Sequence, residues 1–248
     1  MTPLDAELYR LTHVGTRGDL AYYQRLCRGA DSVLELGAGA GRLLRALAAP
    51  ERDVWGVELE PSLLALARRE LSDLPAPARK RVELRQGDMI SLRLSRRFER
   101  VLLPYNGFFC LLSHKAALAC LRSARRLLQP GGVFAFDVWN AEPLHAAGME
   151  LDTTEAACVS FTHAGRSYQV FERCQLGRDP QRLDVTYRYV ARGVPQREQV
   201  LRQRYYTPVE LARLLAAAGL ELRSVHGGFS GQPFTDTSAR LVLSATAC

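Results

Sequence analysis

Three glycines in five residues, Gly37-Ala38-Gly39-Ala40-Gly41, follow directly on the apolar run Val33-Leu34-Glu35-Leu36. The run reads as a buried strand, and the amphipathic stretch Arg42 to Ala49 reads as a helix that opens at once. Glycine at 37, 39 and 41 lets the backbone take positive φ and lets a ligand lie against bare peptide. The helix beyond offers free N–H groups to that ligand. An ordinary strand-to-helix turn rarely needs three glycines so closely spaced.

Spacing chooses the ligand. In the dinucleotide fingerprint G-x-G-x-x-G/A the third small residue would fall at position 42, where this chain has Arg42. Here the third glycine comes one step early. A second strand, Asp53 to Glu58, ends on an acid 21 residues after Gly37. A carboxylate at that tip can accept hydrogen bonds from both hydroxyls of a ribose. A third strand, Arg81 to Gln86, runs into Gly87-Asp88-Met89. There a carboxylate can accept from an exocyclic adenine amine while a neighbouring N–H meets a ring nitrogen. Any one of these acids alone would be a loop residue. Three features at successive strand ends make the ligand crevice of an open α/β sheet.

The run from Glu35 to Gly41 resembles motif I of the class I S-adenosylmethionine-dependent methyltransferases. Gly87-Asp88 and Leu127-Leu128-Gln129-Pro130-Gly131-Gly132 resemble further elements of that family. The resemblance implies S-adenosylmethionine as cofactor and S-adenosylhomocysteine as product, and the early third glycine, with Arg42 where a dinucleotide loop wants a small residue, speaks against NAD. It implies a cofactor shell of Glu35, Gly37, Ala38, Gly39, Gly41, Arg42, Glu58, Leu59, Asp88, Met89 and Pro104, with Tyr23 from the preceding helix. It also implies a doubly wound, mostly parallel, Rossmann-like α/β sheet of seven strands, the last antiparallel.

Patterning along the chain agrees with that architecture. Strands are expected at 32–36, 53–58, 81–86, 99–103 and 133–138, and helices at 19–27, 42–49, 61–73 and 114–128. Strands alternating with helices mean a parallel sheet with right-handed crossovers. Between Glu155 and Tyr206 the period shifts to alternation, as in Ser167 to Phe171 and Asp184 to Val190, with a turn at Gly177-Arg178-Asp179-Pro180. This reads as an antiparallel meander. A helix at 208–218 and strands at 220–225 and 240–245 then resume the first pattern. The expected organisation is N-terminal helices over 1–30, a cofactor-binding core over 31–150 and 207–248, and a β lid over 151–206. A lid after strand five resembles small-molecule N-methyltransferases acting on amino sugars or glycine, and Thr16 to Tyr23 resembles the helix that leads into them. Dimerisation or capping of a sheet edge is the alternative role for the meander.

The chemistry asks little of the protein. The sulfonium donor carries its own activation, so alignment and exclusion of water suffice and a dedicated base is optional. The segment Pro104-Tyr105-Asn106-Gly107-Phe108-Phe109 is where family members wall the methyl group. Tyr105, Phe108 and Phe109 are candidates for an apolar cage beside the sulfonium, or the phenylalanines are simply core. Asn106 is a candidate for orienting a reactant. His226 and His145 are the favoured bases, with His114, His163, Tyr205 and Tyr206 behind them. The letters Leu103-Pro104-Tyr105-Asn106 lack the full N/D-P-P-Y signature, which counts against methylation of DNA or of protein glutamine.

Composition narrows the setting. The net charge of +7 invites a nucleic-acid reading, but all except Lys80 and Lys115 of the 33 cations are arginines, spread along the chain without aromatic platforms. An RNA- or protein-directed methyltransferase on the same scaffold is the alternative to a small-molecule enzyme. Six cysteines without a C-x-x-C pair read as free thiols of a cytoplasmic protein, and no site for a metal is expected. No apolar window is long enough to span a membrane. A small-molecule acceptor and a monomer or homodimer complete the expectations.

Overall fold

The computed structural model describes residues 1–148, 153–177 and 181–248. Its strands are β1 (Ser32–Leu36), β2 (Asp53–Glu58), β3 (Val82–Gln86), β4 (Phe98–Leu103), β5 (Leu128–Trp139), β6 (Ala156–His163), β7 (Arg166–Leu176), β8 (Arg182–Ala191), β9 (Arg197–Arg204), β10 (Leu220–His226) and β11 (Arg240–Ala247). Its helices are α1 (Pro3–Thr12), α2 (Asp19–Leu26), α3 (Arg42–Leu47), α4 (Pro61–Glu70), α5 (Ala76–Arg79), α6 (His114–Leu127), α7 (Glu142–Ala146) and α8 (Pro208–Ala217).

Seven strands form one sheet in the order β10-β11-β5-β4-β1-β2-β3. The pairs from β5 to β3 are parallel, and β11 runs antiparallel to both its neighbours. The chain leaves β1 towards β2 on one side and returns to β4 on the other, so the topological switch point lies at the carboxyl ends of β1 and β4. That is where an open α/β sheet opens its ligand crevice.

β1 is buried at every position, as a central strand covered on both faces must be. Leu34 and Leu36 face one core with Phe134, Phe136 and the α6 and α8 leucines. Val33 faces the other, with Leu43, Leu44 and Val54. Each such side chain removed from water contributes about 1.5–3 kcal/mol. Caps fix the helix starts: Ser113 accepts from Ala116 N at α6, and Thr207 with Glu210 forms a capping box at α8 behind Pro208. Among the described residues no helix is long and apolar enough to cross a membrane.

The second sheet, β6-β7-β8-β9, is the antiparallel meander. Residues 178–180 of the turn expected at 177–180, and the 150/151 boundary of the expected lid, lie outside the described residues. Register puts Glu172 opposite Tyr187 and Cys174 opposite Val185, so these four share one face. Leu8 of α1 is fully buried against Tyr168, Val170, Tyr189 and Ala191 of the meander. Ala6, on the same helix, packs with Leu63 and Leu66 of α4. Thus α1, within the helical segment expected over 1–30, links the meander to the main sheet. Several boundaries also differ from expectation, most of all at β5, which starts at Leu128 and absorbs the Pro-Gly-Gly element, and at α4, which ends at Glu70.

Candidate active site

The carboxyl end of β1 runs into the glycine loop, where Gly37, Gly39 and Gly41 all have positive φ, at 68°, 55° and 82°. A Cβ on Gly39 would project into open space. Gly39 N donates to Glu58 Oε2 at 2.8 Å, and Glu60 N donates to Glu58 Oε1 at 2.9 Å. The acid at the tip of β2 therefore also braces the loop. Glu35 is buried, and its Oε2 is closed from water without a partner. Burial raises its carboxyl well above the ordinary range, Arg42 opposing and Glu58 reinforcing the shift.

Arg42 stands at the first position of α3. Its Nη1 and Nη2 donate to Asp19 Oδ1 and Oδ2 at 3.1 and 2.5 Å, a fork that joins α3 to the start of α2. Gly15 lies against this guanidinium so closely that a Cβ would clash with Arg42 Cζ. Arg42 borders the cleft, but its charge is already engaged.

Across the switch point, Tyr105 and Asn106 both take left-handed φ, 53° and 60°. Such backbone costs on the order of 1–3 kcal/mol per residue and needs external restraint. Asp137, fully buried near the end of β5, supplies it. Its Oδ1 accepts from Tyr105 N at 2.9 Å and from Tyr23 Oη at 2.7 Å, while Oδ2 accepts from Arg240 Nη1 at 2.6 Å. Asn106 Oδ1 accepts from Trp139 N at 2.8 Å. Desolvation pushes the Asp137 carboxyl up, against the pull of Arg240.

These features border one cavity of about 1460 Å³. A pocket for one drug-sized ligand measures about 300–1,000 Å³, so this one has room for two reactants. One end holds the glycine loop, Glu35, Glu58, Leu59, Asp88 and Met89. The other lies under the meander, where Glu172, Cys174, Leu183, Val185, Tyr187, Leu201 and Gln203 form a roof. Pro104, Tyr105, Asn106 and Cys110 lie between the β4 end and α6, and Tyr9 and His13 enter from α1.

Eleven of the twelve residues expected around the cofactor border this cavity. Tyr23 does not: it is fully buried with its hydroxyl committed to Asp137, because α2 packs its aromatic side against the sheet. Of the three residues expected at the chemistry, Tyr105 and Asn106 border the cavity, though the Asn106 side-chain oxygen is spent on the β5 backbone. His226 is corrected. It ends β10, the edge strand of the main sheet, bridged to Pro233, and does not line the cavity. His145 contacts Tyr205 and His114 contacts Glu210; neither borders the cavity, nor does His163. Tyr205 and Tyr206 are buried in the core. Phe108 and Phe109 are core as well, fully buried against Phe136, Tyr206 and Trp139. The histidine that borders the cavity is His13, just past the end of α1 and not among the histidines singled out from sequence.

The residues present fit S-adenosylmethionine: an open cradle at Gly39, an unpartnered buried oxygen on Glu35, and acids beyond β2 and β3. Residues 33–132 match the family described as Methyltransferase domain. The dTDP-3-amino-3,6-dideoxy-alpha-D-glucopyranose N,N-dimethyltransferase of Streptomyces fradiae is 30% identical over 92% of this chain and 88% of its own length. The CcbJ methyltransferase of Streptomyces caelestis is 28% identical and superposes with a TM-score of 0.78, over 94% of this chain and 89% of that one. The glycopeptide N-methyltransferase MtfA, solved with S-adenosylmethionine, has a TM-score of 0.62 at 23% identity over 92% of this chain and 87% of that one. A whole-chain relative, the matching domain and the cleft at the switch point agree: the chain belongs to the class I S-adenosylmethionine-dependent methyltransferases.

Proposed function

We propose that this enzyme methylates the amine of a small acceptor, an amino sugar being the class its relative in Streptomyces fradiae suggests. One observation carries the reading: the cavity is continuous from the glycine loop to an aromatic chamber roofed by the meander. Glu58 would accept from the ribose hydroxyls while keeping its bonds to Gly39 and Glu60. Asp88 and Met89 would hold the adenine, and Glu35 with the Gly37–Gly39 backbone would hold the amino-acid end.

When bound, S-adenosylmethionine supplies an electrophilic methyl group on a sulfonium. The protein's task is alignment. Tyr105, fixed by Asp137 in its left-handed conformation, walls the junction of the two chambers, and the meander excludes water from it. Holding a nucleophile about 3 Å from its target can contribute about 7–11 kcal/mol. The six free cysteines support a cytoplasmic setting.

Purified protein, S-adenosylmethionine and a panel of amino sugars with their hydroxyl counterparts test this. S-adenosylhomocysteine release with a new methyl on nitrogen is expected. Methylation of the hydroxyl counterparts with the amines untouched would replace the amine reading.

A further inference from the structure

Under the meander, two hydrogen-bond acceptors face one aromatic chamber without a cation to meet them. The first is His13, just past the end of α1. Its Nδ1 lies 2.9 Å from the Tyr9 carbonyl oxygen. A carbonyl only accepts, so Nδ1 carries the proton and Nε2 is left as a bare lone pair. Nε2 is closed from water and has no partner. The ring is held on three sides: Tyr9 stacks on it at 3.9 Å, Tyr187 meets it edge-on at 4.9 Å, and Tyr105 at 6.2 Å. Burial lowers its pKa to about 4, so the imidazole is neutral at neutral pH.

The second is Glu172 of β7, on the inner face of the meander. Its partners are both donors: the Tyr187 hydroxyl, and the Cys174 thiol at 3.8 Å. No cation pairs with it among the described residues. Three further charged groups of the cavity lining are already engaged within the fold. Arg42 is held by Asp19 and Arg240 by Asp137, and Glu58 braces the glycine loop. A carboxylate among tyrosine rings, beside a neutral imidazole that can only accept, is a receptor for a cation with N–H groups.

We propose that Glu172 and His13 form a subsite for the acceptor's ammonium group, the carboxylate drawing the charge in and His13 Nε2 accepting one of its N–H groups, between Tyr187 and Tyr105. This rests on the amine reading above and assigns the residues that impose it. One N–H of the held ammonium points to Glu172. As that bond breaks, its electron pair stays on nitrogen and the proton passes to the carboxylate, to leave to solvent with the product. With S-adenosylmethionine bound, the nitrogen pair would form the new carbon–nitrogen bond to its methyl group as the carbon–sulfur bonding pair returns to sulfur.

The test uses the intact protein saturated with S-adenosylhomocysteine, titrated at neutral pH with cyclohexylamine and with cyclohexanol, which share a shape and differ in charge. The amine is expected to bind at least about tenfold more tightly than the alcohol. Glu172→Gln should erase that preference and Glu172→Asp retain it. His13→Phe, which keeps the ring stack on Tyr9, should weaken the amine about threefold and leave the alcohol unchanged. Absence of amine binding, equal binding of the two probes, or a preference that survives Glu172→Gln overturns the proposal. Affinity for S-adenosylhomocysteine, measured on each protein, shows that each variant keeps the cofactor end intact. If the native protein binds it but shows no amine preference, the amine reading falls with the subsite; if the native preference is present and survives Glu172→Gln, only this subsite falls.

Discussion

At the scale of single residues, Glu58 and His13 show how one side chain serves both fold and site. Glu58 accepts from Gly39 N and Glu60 N, which leaves lone pairs on both oxygens for further donors. Glu58→Ala should weaken binding of S-adenosylhomocysteine by about 1.5–3 kcal/mol, read by calorimetry, because a charge-assisted acceptor and a brace of the loop go together. An unchanged dissociation constant would reduce Glu58 to a loop support. His13 has a pKa of about 4 in the folded protein against 6.5 ordinarily. Between those pH values the unfolded chain takes up a proton that the folded chain does not. Its contribution is therefore complete above about pH 6.5 and is lost as pH falls towards 4. Part of the ring opens on the cleft, so the effect is at most about 3 kcal/mol. Glu35 and Asp137, whose pKa values are raised, act with the opposite sign. Denaturant melts of native protein and His13→Phe, compared at each pH, cancel those terms. The gap between the two should change across this window; a constant gap would contradict a neutral, buried His13.

At the scale of elements, α1 has the most unusual position. Leu8 reaches the meander, Ala6 reaches α4, and the helix ends by delivering His13 to the cavity. Arg197 of β9 pairs with Asp5 at 3.1 Å, and Gln199 Nε2 donates to Asp5 O at 2.8 Å, so the meander is fastened to α1 by polar contacts as well. Leu8→Ala should cost about 2–5 kcal/mol in this layer. Hydrogen exchange should show faster opening in α1 and β7–β8 with β1 and β5 unchanged. Equal loosening everywhere would mean that α1 and the main sheet unfold as one unit.

At the scale of the molecule, two sheets meet over one cavity. The parallel sheet supplies the rigid end and the meander supplies the roof. A roof of this kind should gain hydrogen-exchange protection along β7, β8 and β9 when S-adenosylhomocysteine and an amine are both bound, beyond that given by S-adenosylhomocysteine alone. If the cofactor product alone gives the full protection, the meander does not report on the acceptor.

The sequence by itself determined the cofactor half. A strand, a glycine loop and two strand-end acids are local features, each set by neighbours a few residues away, and their spacing along βα units fixes their meeting at one sheet edge. Eleven residues expected around the cofactor border the cavity for that reason. The acceptor half was decided by tertiary structure. Tyr23 and His226 left the site because the packing of α2 and the edge position of β10 are not written in local spacing. His13 and Glu172, 159 positions apart in the chain, border one cavity because α1 and β7 converge only when Leu8 buries itself in the meander. Nothing near either residue marks that contact, since hydrophobic burial has no direction along the chain and its partner is chosen by the completed fold.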